Sequence, residues 1–274
     1  MIVDCHTHIF PDKIAPKVMQ MNRRNLGLEP YGAGTTSDLL AYMDDAGVDY
    51  AIAFGVAPDG GFVRTTNDWL ISQADDRLLL FGTITPDFEE WETEIDRIKA
   101  AGILGIKFNP LFQDIRPDDR NMYPIYEKLT HEGLFVFYHA GMGSGHEDKK
   151  DIRSTPSGLR RLHDDHPDLN LICAHFGGSG MFAEVMTHLA GTGVYIDTSQ
   201  TPTCRDLDIS SLKKLISRHG TDRMLYATDY PWARQGGEYG WEYELLDMLD
   251  LSDEDRGLIL GGNAQGLFNL QPRN

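Results

Sequence analysis

Cysteine is scarce: the 274 residues include three, Cys5, Cys173 and Cys204. An odd, sparse set builds no disulfide framework, and two of the three sit in apolar runs where a thiol packs as a small hydrophobic group. A reducing, cytoplasmic setting is the expectation. Positive charge is also in short supply, with 25 Lys and Arg against 42 Asp and Glu and a net charge of -17. That balance repels nucleic acid and anionic membrane surfaces, which leaves a small-molecule substrate as the expected partner. Long apolar runs are missing too. Nothing approaches the ~20 residues of a membrane span, and the N-terminus lacks a basic region followed by an apolar stretch, so the mature chain is expected to begin near Met1. No linker, internal repeat or low-complexity segment divides the sequence, and one domain over residues 1–274 is expected.

What the chain does have is an opening strand with two imidazoles. Residues 2–9 read Ile-Val-Asp-Cys-His-Thr-His-Ile. In a strand, His6 and His8 share a face with Cα atoms about 6.5 Å apart, and two nitrogen donors for one divalent cation are half a site. Residues 9–35 read as a long loop, with Phe10, Pro11 and Pro30, whose length suits a lid or pocket wall. Helical spacing begins at Thr36, with Ser37 as N-cap, Leu39, Leu40, Met43 and Ala46 on one face, and Gly47 as the stop.

Short apolar runs then follow at 50–56, 78–84, 103–108, 134–139, 169–175, 193–198 and 223–228. Between them lie helical patterns: a short one opened by Asn67, one over 89–101, and one carrying Met122, Ile125, Tyr126 and Leu129. With the first strand this makes eight strand–helix units at a mean spacing of about 34 residues. Buried runs alternating with amphipathic helices imply a parallel sheet, and eight units can close into a (β/α)8 TIM barrel. The runner-up is an open doubly wound sheet. Helical stretches at 240–249, 252–260 and 263–269 are read as the last barrel helix plus extra C-terminal helices.

In such a barrel the active site lies at the C-terminal ends of the strands. Strand one ends in His6 and His8, strand four in Lys107, strand five in His139 and strand six in His175, while Asp229 follows strand eight at once. The remaining histidines, His131, His146, His163, His166, His188 and His219, fall on helices or loops and read as surface imidazoles. Imidazole plus carboxylate is a Zn²⁺-type donor set, and three or four such ligands with an open position make a catalytic site. A metal there lowers the pKa of water toward ~7. Asp229 can serve as a ligand or take the water's proton. His175, titrating near working pH, can orient the water or act as general acid or base. Gly177, Gly178, Ser179 and Gly180 read as the turn from strand to helix in preference to an anion cradle. Arg116, Arg153, Arg205 and Arg234 lie in loops on the active side and suit a substrate carboxylate. Trp232 and Tyr230 flank Asp229 and can wall a pocket; Trp241 fits ordinary packing.

These residues carry a resemblance. Asp-Cys-His-Thr-His at 4–8, Gly-Ile-Lys-Phe-Asn-Pro at 105–110, Tyr-His-Ala-Gly at 138–141, Ala-His-Phe-Gly-Gly at 174–178, Ala-Thr-Asp-Tyr-Pro-Trp at 227–232 and Gly-Asn-Ala at 262–264 span nearly the whole chain. Together they resemble the amidohydrolase superfamily, in the branch of metal-dependent hydrolases and decarboxylases that includes aminocarboxymuconate semialdehyde decarboxylase. The resemblance implies His6, His8, His139 and Asp229 as metal ligands and His175 as the catalytic acid/base. One divalent ion is expected, Zn²⁺ ahead of Mn²⁺, Fe²⁺ or Ni²⁺. In binuclear amidohydrolases a strand-four lysine is carbamylated and bridges two metals. In the closer, mononuclear branch Lys107 would hold a substrate carboxylate or pair with Asp229. Relatives often have His where this chain has Asn109, so that residue's role does not transfer, and their dimers imply a homodimer here.

Two reactions fit. The first is hydrolysis, with metal-activated water attacking an ester, lactone or amide bond of a small organic acid, Asp229 and His175 managing the proton, and Lys107 and Trp232 touching substrate. The alternative is metal-dependent, non-oxidative decarboxylation of a small unsaturated or aromatic acid. A non-catalytic metal-binding barrel is disfavoured, because binding alone has no use for an extra acid/base.

Overall fold

The structure is a computed structural model that describes residues 1–26, 29–143, 151–199, 208–232 and 241–273. Cys204, His146, Arg205 and Arg234 lie outside these residues, as does the side chain of Trp241. Eight strands form one sheet: β1 (Val3–His8), β2 (Tyr50–Phe54), β3 (Leu78–Gly82), β4 (Gly105–Phe108), β5 (Phe135–Tyr138), β6 (Leu171–Cys173), β7 (Tyr195–Asp197) and β8 (Met224–Leu225). Neighbours in sequence pair in parallel. The ring closes where the Cys5 amide donates to the Tyr226 carbonyl at 2.8 Å and the His8 amide to the Tyr230 carbonyl at 2.7 Å. This is the (β/α)8 TIM barrel read from the alternation of runs.

The helices are α1 (Ala15–Leu26), α2 (Thr36–Ala46), α3 (Gly60–Ile71), α4 (Trp91–Ala100), α5 (Tyr123–Glu132), α6 (Pro156–Asp165), α7 (Phe182–His188), α8 (Ile209–His219), α9 (Trp241–Met248), α10 (Asp253–Gly257) and α11 (Asn263–Phe268). Among the described residues no helix is long and apolar enough to cross a membrane. Three local expectations are corrected. The stretch read as one loop over 9–35 contains α1; Pro16 is tolerated in its first turn, where the missing amide proton has no helical partner. Helix α2 is capped by Thr35, whose Oγ1 accepts from the Asp38 amide at 3.3 Å, and not by Ser37. Helix α3 starts at Gly60 behind Asp59. Asn67, taken from sequence as its opening residue, is buried mid-helix, where its amide bridges the Thr83 backbone and Glu94 at 2.8–3.0 Å.

Two apolar layers result. The outer one packs strands against helices and holds residues such as Leu39, Ile98, Leu129, Leu162 and Leu215. The inner one fills the barrel with Val3, Cys5, Ile52, Phe54, Phe81, Phe137 and Ile172, and Ala264 and Leu270 join it from α11 and the segment behind it. The Phe268 ring sits 4.8 Å from Phe135 and 6.1 Å from Phe81, so the chain's C-terminal end packs against the inner layer.

One irregularity in β1 decides the site. Its register against β2 shifts between Asp4 and Thr7. A bulge inserts a residue and reverses which side chains face inward beyond it. Val3 and Cys5 belong to the inner layer, yet so do the rings of His6 and His8, which contact Phe54. Thr7 is turned to the sheet, its hydroxyl donating to the Ile52 carbonyl at 2.7 Å.

Candidate active site

The strand ends converge. His6 Nε2 lies 3.2 Å from His8 Nε2, and the Asp229 carboxylate, one residue beyond Thr228 on the segment leaving β8, places Oδ1 3.3 Å from the first and 3.4 Å from the second. A tetrahedral cation with donors at about 2.0–2.1 Å has donor–donor edges of roughly 3.3–3.4 Å. Three edges of that length are already present. His6, His8 and Asp229 form one group of donor atoms close enough to share an ion; His6, His175 and Asp197 form another.

Backbone strain marks two of these positions. Asp229 has φ 61° and His175 φ 57°, both in the left-handed region, followed by Phe176 at 53°. Non-glycine residues rarely adopt it, and where they do the surroundings hold them there. At β8 the hold comes from Asp4, fully buried, which accepts from the Thr228 amide at 3.0 Å, the Thr228 hydroxyl at 2.6 Å and the His6 amide at 3.2 Å. It ties the histidine strand to the aspartate strand. Burial pushes its carboxyl up to about 7.

A second carboxylate sets the tautomers. Asp197 ends β7 with no solvent exposure. Its Oδ2 lies 2.7 Å from His6 Nδ1, while Oδ1 accepts from the His175 amide at 2.8 Å, the Ser199 amide at 3.0 Å and the Ser199 hydroxyl at 2.5 Å. His6 therefore carries its proton on Nδ1 and keeps a lone pair on Nε2, as a metal-binding imidazole requires. Because Ser199 spends its proton on Asp197, its oxygen accepts from His175 Nδ1 at 2.9 Å. That leaves the His175 Nε2 lone pair facing His139 Nδ1 at 3.1 Å. With the proton of His139 on Nδ1, its Nε2 is an acceptor, buried without a hydrogen-bond partner among the described residues. Such an orphaned acceptor calls for an occupant.

The electrostatics agree. Burial pulls the imidazoles of His6, His8 and His175 well below the usual histidine range and His139 down to about 3, with the Lys107 charge adding to the effect. All four are neutral near pH 7, the form that binds metal. Lys107 itself is fully buried, with Nζ 3.3 Å from His6 Nε2 and 4.3 Å from the centres of the Phe54 and Phe137 rings. Burial lowers its amine to about 7 against the pull of Asp197 and Asp229.

Above the donor cluster opens a cavity of about 390 Å³. His6, His8, His139, His175 and Asp229 form its floor, and Trp232 stands in its wall beside Phe10, with ring centres 6.1 Å apart. Ile14, Val18 and Met21, from α1 and the residue before it, supply another wall. Lys107 lies under the floor and does not line the cavity. Two of the four arginines read as candidate carboxylate binders are turned to acidic neighbours: Arg116 pairs with Asp151 at 2.6 Å, and Arg153 with Asp114 and Asp151 at 3.4 Å each. His219 departs from its reading as a surface residue; it is 4% exposed and accepts from the Gly191 amide at 3.3 Å.

Sequence reading missed Asp4, Asp197 and Ser199. The signal for Asp197 was an acid closing the apolar run Val-Tyr-Ile-Asp, at the C-terminal end of a strand where charge is expensive without a purpose.

Comparison with protein families matches residues 3–270 to the family described as Amidohydrolase. The chain belongs to the amidohydrolase family. It is an enzyme fold whose His/His/Asp cluster suits a divalent metal. No curated protein sequence matches significantly. Among solved structures, a candidate 2-pyrone-4,6-dicarboxylic acid hydrolase from Pseudomonas putida is 19% identical, with 99% of this chain and 98% of that one covered at a TM-score of 0.68. A 2,6-dihydroxybenzoate decarboxylase complexed with 2,6-dihydroxybenzoate is 18% identical, covering 98% and 99% at 0.70. The 5-carboxyvanillate decarboxylase of Novosphingobium aromaticivorans, complexed with manganese and 4-hydroxy-3-methoxy-5-nitrobenzoic acid, is 19% identical, covering 98% and 96% at 0.67. At these identities the likeness is one of fold.

Proposed function

We propose that this amidohydrolase is a hydrolase of ester, lactone or amide bonds that works with one divalent ion, Zn²⁺, held by His6, His8, His139 and Asp229. The observation that carries the reading is the triangle of His6 Nε2, His8 Nε2 and Asp229 Oδ1 with edges of 3.2–3.4 Å at the floor of a cavity. Donors at that spacing can converge on a single divalent cation, and these three, with His139 as the fourth, would hold it. When bound, the cation supplies Lewis acidity, acidifying water and polarising a carbonyl oxygen.

The chain's own groups do the rest. Asp197 keeps the His6 lone pair turned inward. Ser199 pins the His175 Nδ1 proton, so the nitrogen left for taking a proton from the attacking water and returning it to the leaving group is Nε2, which in this structure faces His139 Nδ1 at 3.1 Å. Apolar side chains such as Phe10, Val18 and Trp232 line the approach to these groups. Decarboxylation is the second reading, and one observation favours it: a smaller pocket beside the cavity shares His139 and Leu111 with it and is lined by Arg153. A screen of lactones, esters and small carboxylic acids by mass spectrometry separates the two, since hydrolysis adds about 18 mass units and decarboxylation removes about 44. Only mass losses among the products would replace the first reading with the second.

A further inference from the structure

The cavity walls carry hydrocarbon and almost no charge. Phe10, Ile14, Val18, Leu111, Phe112 and Trp232 line it, and among its described lining residues there is no Lys or Arg. A carboxylate on the far part of a substrate would meet these surfaces, losing water with no guanidinium among the cavity's described lining residues in return; Arg153, in the adjoining pocket, is paired with Asp114 and Asp151. The net charge of -17 opposes an anionic ligand at longer range as well.

Two buried amides interrupt the walls. Asn22, on α1, and Asn109, just past β4, are each 6% exposed and both line the cavity. The Asn109 Oδ1 accepts from the Leu111 amide at 3.2 Å and its own backbone amide donates to Gln113 Oε1 at 2.7 Å, which leaves its Nδ2 without a partner among the described residues. The Asn22 side chain has no partner among them either. Neither amide is among the fully buried polar atoms left without a partner, so both keep contact with the open space of the cavity, where an entering ligand meets them. An uncharged –NH₂ donor suits a carbonyl, ether or hydroxyl oxygen.

We propose that, away from its reacting bond, the substrate is an uncharged molecule with a hydrocarbon or aromatic body and one neutral oxygen acceptor, read by Asn22 and Asn109 as specificity-determining residues; this rests on the hydrolase reading above. The cavity of about 390 Å³ is in the range that encloses a small organic molecule.

The test uses three esters with one leaving group: phenyl 5-oxohexanoate, phenyl 5-methylhexanoate and the monophenyl ester of glutaric acid, which end in a neutral acceptor, a hydrocarbon and a carboxylate of similar size. With the Zn²⁺-loaded protein, kcat/KM is expected to fall in that order, with the first and last separated by about 10-fold or more. A glutarate ester turned over as well as or better than the oxo ester overturns the proposal. Equilibrium dialysis of the corresponding phenyl ketones, which cannot be hydrolysed, reads the same order as affinities. Ketones binding in the expected order while none of the esters is cleaved would sink the hydrolase reading and leave the substrate class standing; the reverse order sinks the class whatever the turnover. Asn22→Leu and Asn22→Ala, each folded by circular dichroism, should shrink the preference for the oxo over the methyl ketone toward unity. A preference unchanged in both variants and in Asn109→Ala removes the amides from recognition.

Discussion

Asp197→Asn replaces one oxygen and should loosen a cation that the side chain never touches. Oδ1 of Asp197 receives three donors, from the His175 amide, the Ser199 amide and the Ser199 hydroxyl, at 2.5–3.0 Å. In the variant the amide oxygen must stay there, which turns the –NH₂ toward His6 Nδ1, now 2.7 Å from Oδ2. Facing a donor, His6 has to accept at Nδ1 and carry its proton on Nε2. That is the atom whose lone pair points at His8 and Asp229. Losing an outer carboxylate of this kind costs about 10- to 100-fold in metal affinity, or about 1.4–2.7 kcal/mol.

The fold should not suffer equally. Burial pushes the Asp197 carboxyl above its usual range, so its charge is a cost in the folded state near pH 7 that the neutral amide removes. Competition titration against a chromogenic chelator gives the two dissociation constants, and thermal unfolding of both metal-free proteins gives the control. Equal constants refute the argument. A metal-free variant that melts well below the parent would place the loss in the fold instead.

His175→Asn should leave the ion bound and lower turnover by about 10²- to 10⁴-fold; unchanged turnover strips His175 of its role. Lys107→Met should leave one ion per chain by elemental analysis, whereas a parent with two ions and a variant with one would show that the lysine holds a second. Because burial lowers the Lys107 amine to about 7, the unfolded chain holds a proton that the folded one releases between there and its ordinary value near 10.4. Parent stability should therefore gain from this group as pH rises across that interval, and urea titrations of Lys107→Met should lack the gain. Gly105→Ala would set a Cβ 2.6 Å from the Phe135 carbonyl oxygen and against the Phe81 ring. Overpacking of that kind costs about 1–3 kcal/mol, and an unaltered denaturation midpoint would show that the barrel wall yields more than a β-strand should.

Much of this molecule is legible in the order of its residues. Apolar runs and helical spacing are local properties, so the eight strand–helix units, and hence the barrel, could be read directly; so could the rim on which His6, His8, Lys107, His139, His175 and Asp229 sit, because parallel strands in a barrel all end on the same side. Helix α1 escaped because proline and the polar residues between Ile14, Val18 and Met21 mask a face that is defined only by the cavity it lines. Asn67 read as a cap because a buried polar residue and a capping residue look alike until the partner strand is in place.

What only the tertiary structure decided is how the site is held. The bulge between Asp4 and Thr7 turns His6 inward beside Cys5, against the simple alternation of a strand, and it arises from pairing with β2, some 45 residues away. Asp4 reaches Thr228 and Asp197 reaches His6 across about 190–225 positions of sequence. Contacts of that span leave no periodic trace. Residue types and strand ends thus determined which groups could act, while long-range hydrogen bonds determined which nitrogen of each imidazole is free to do so.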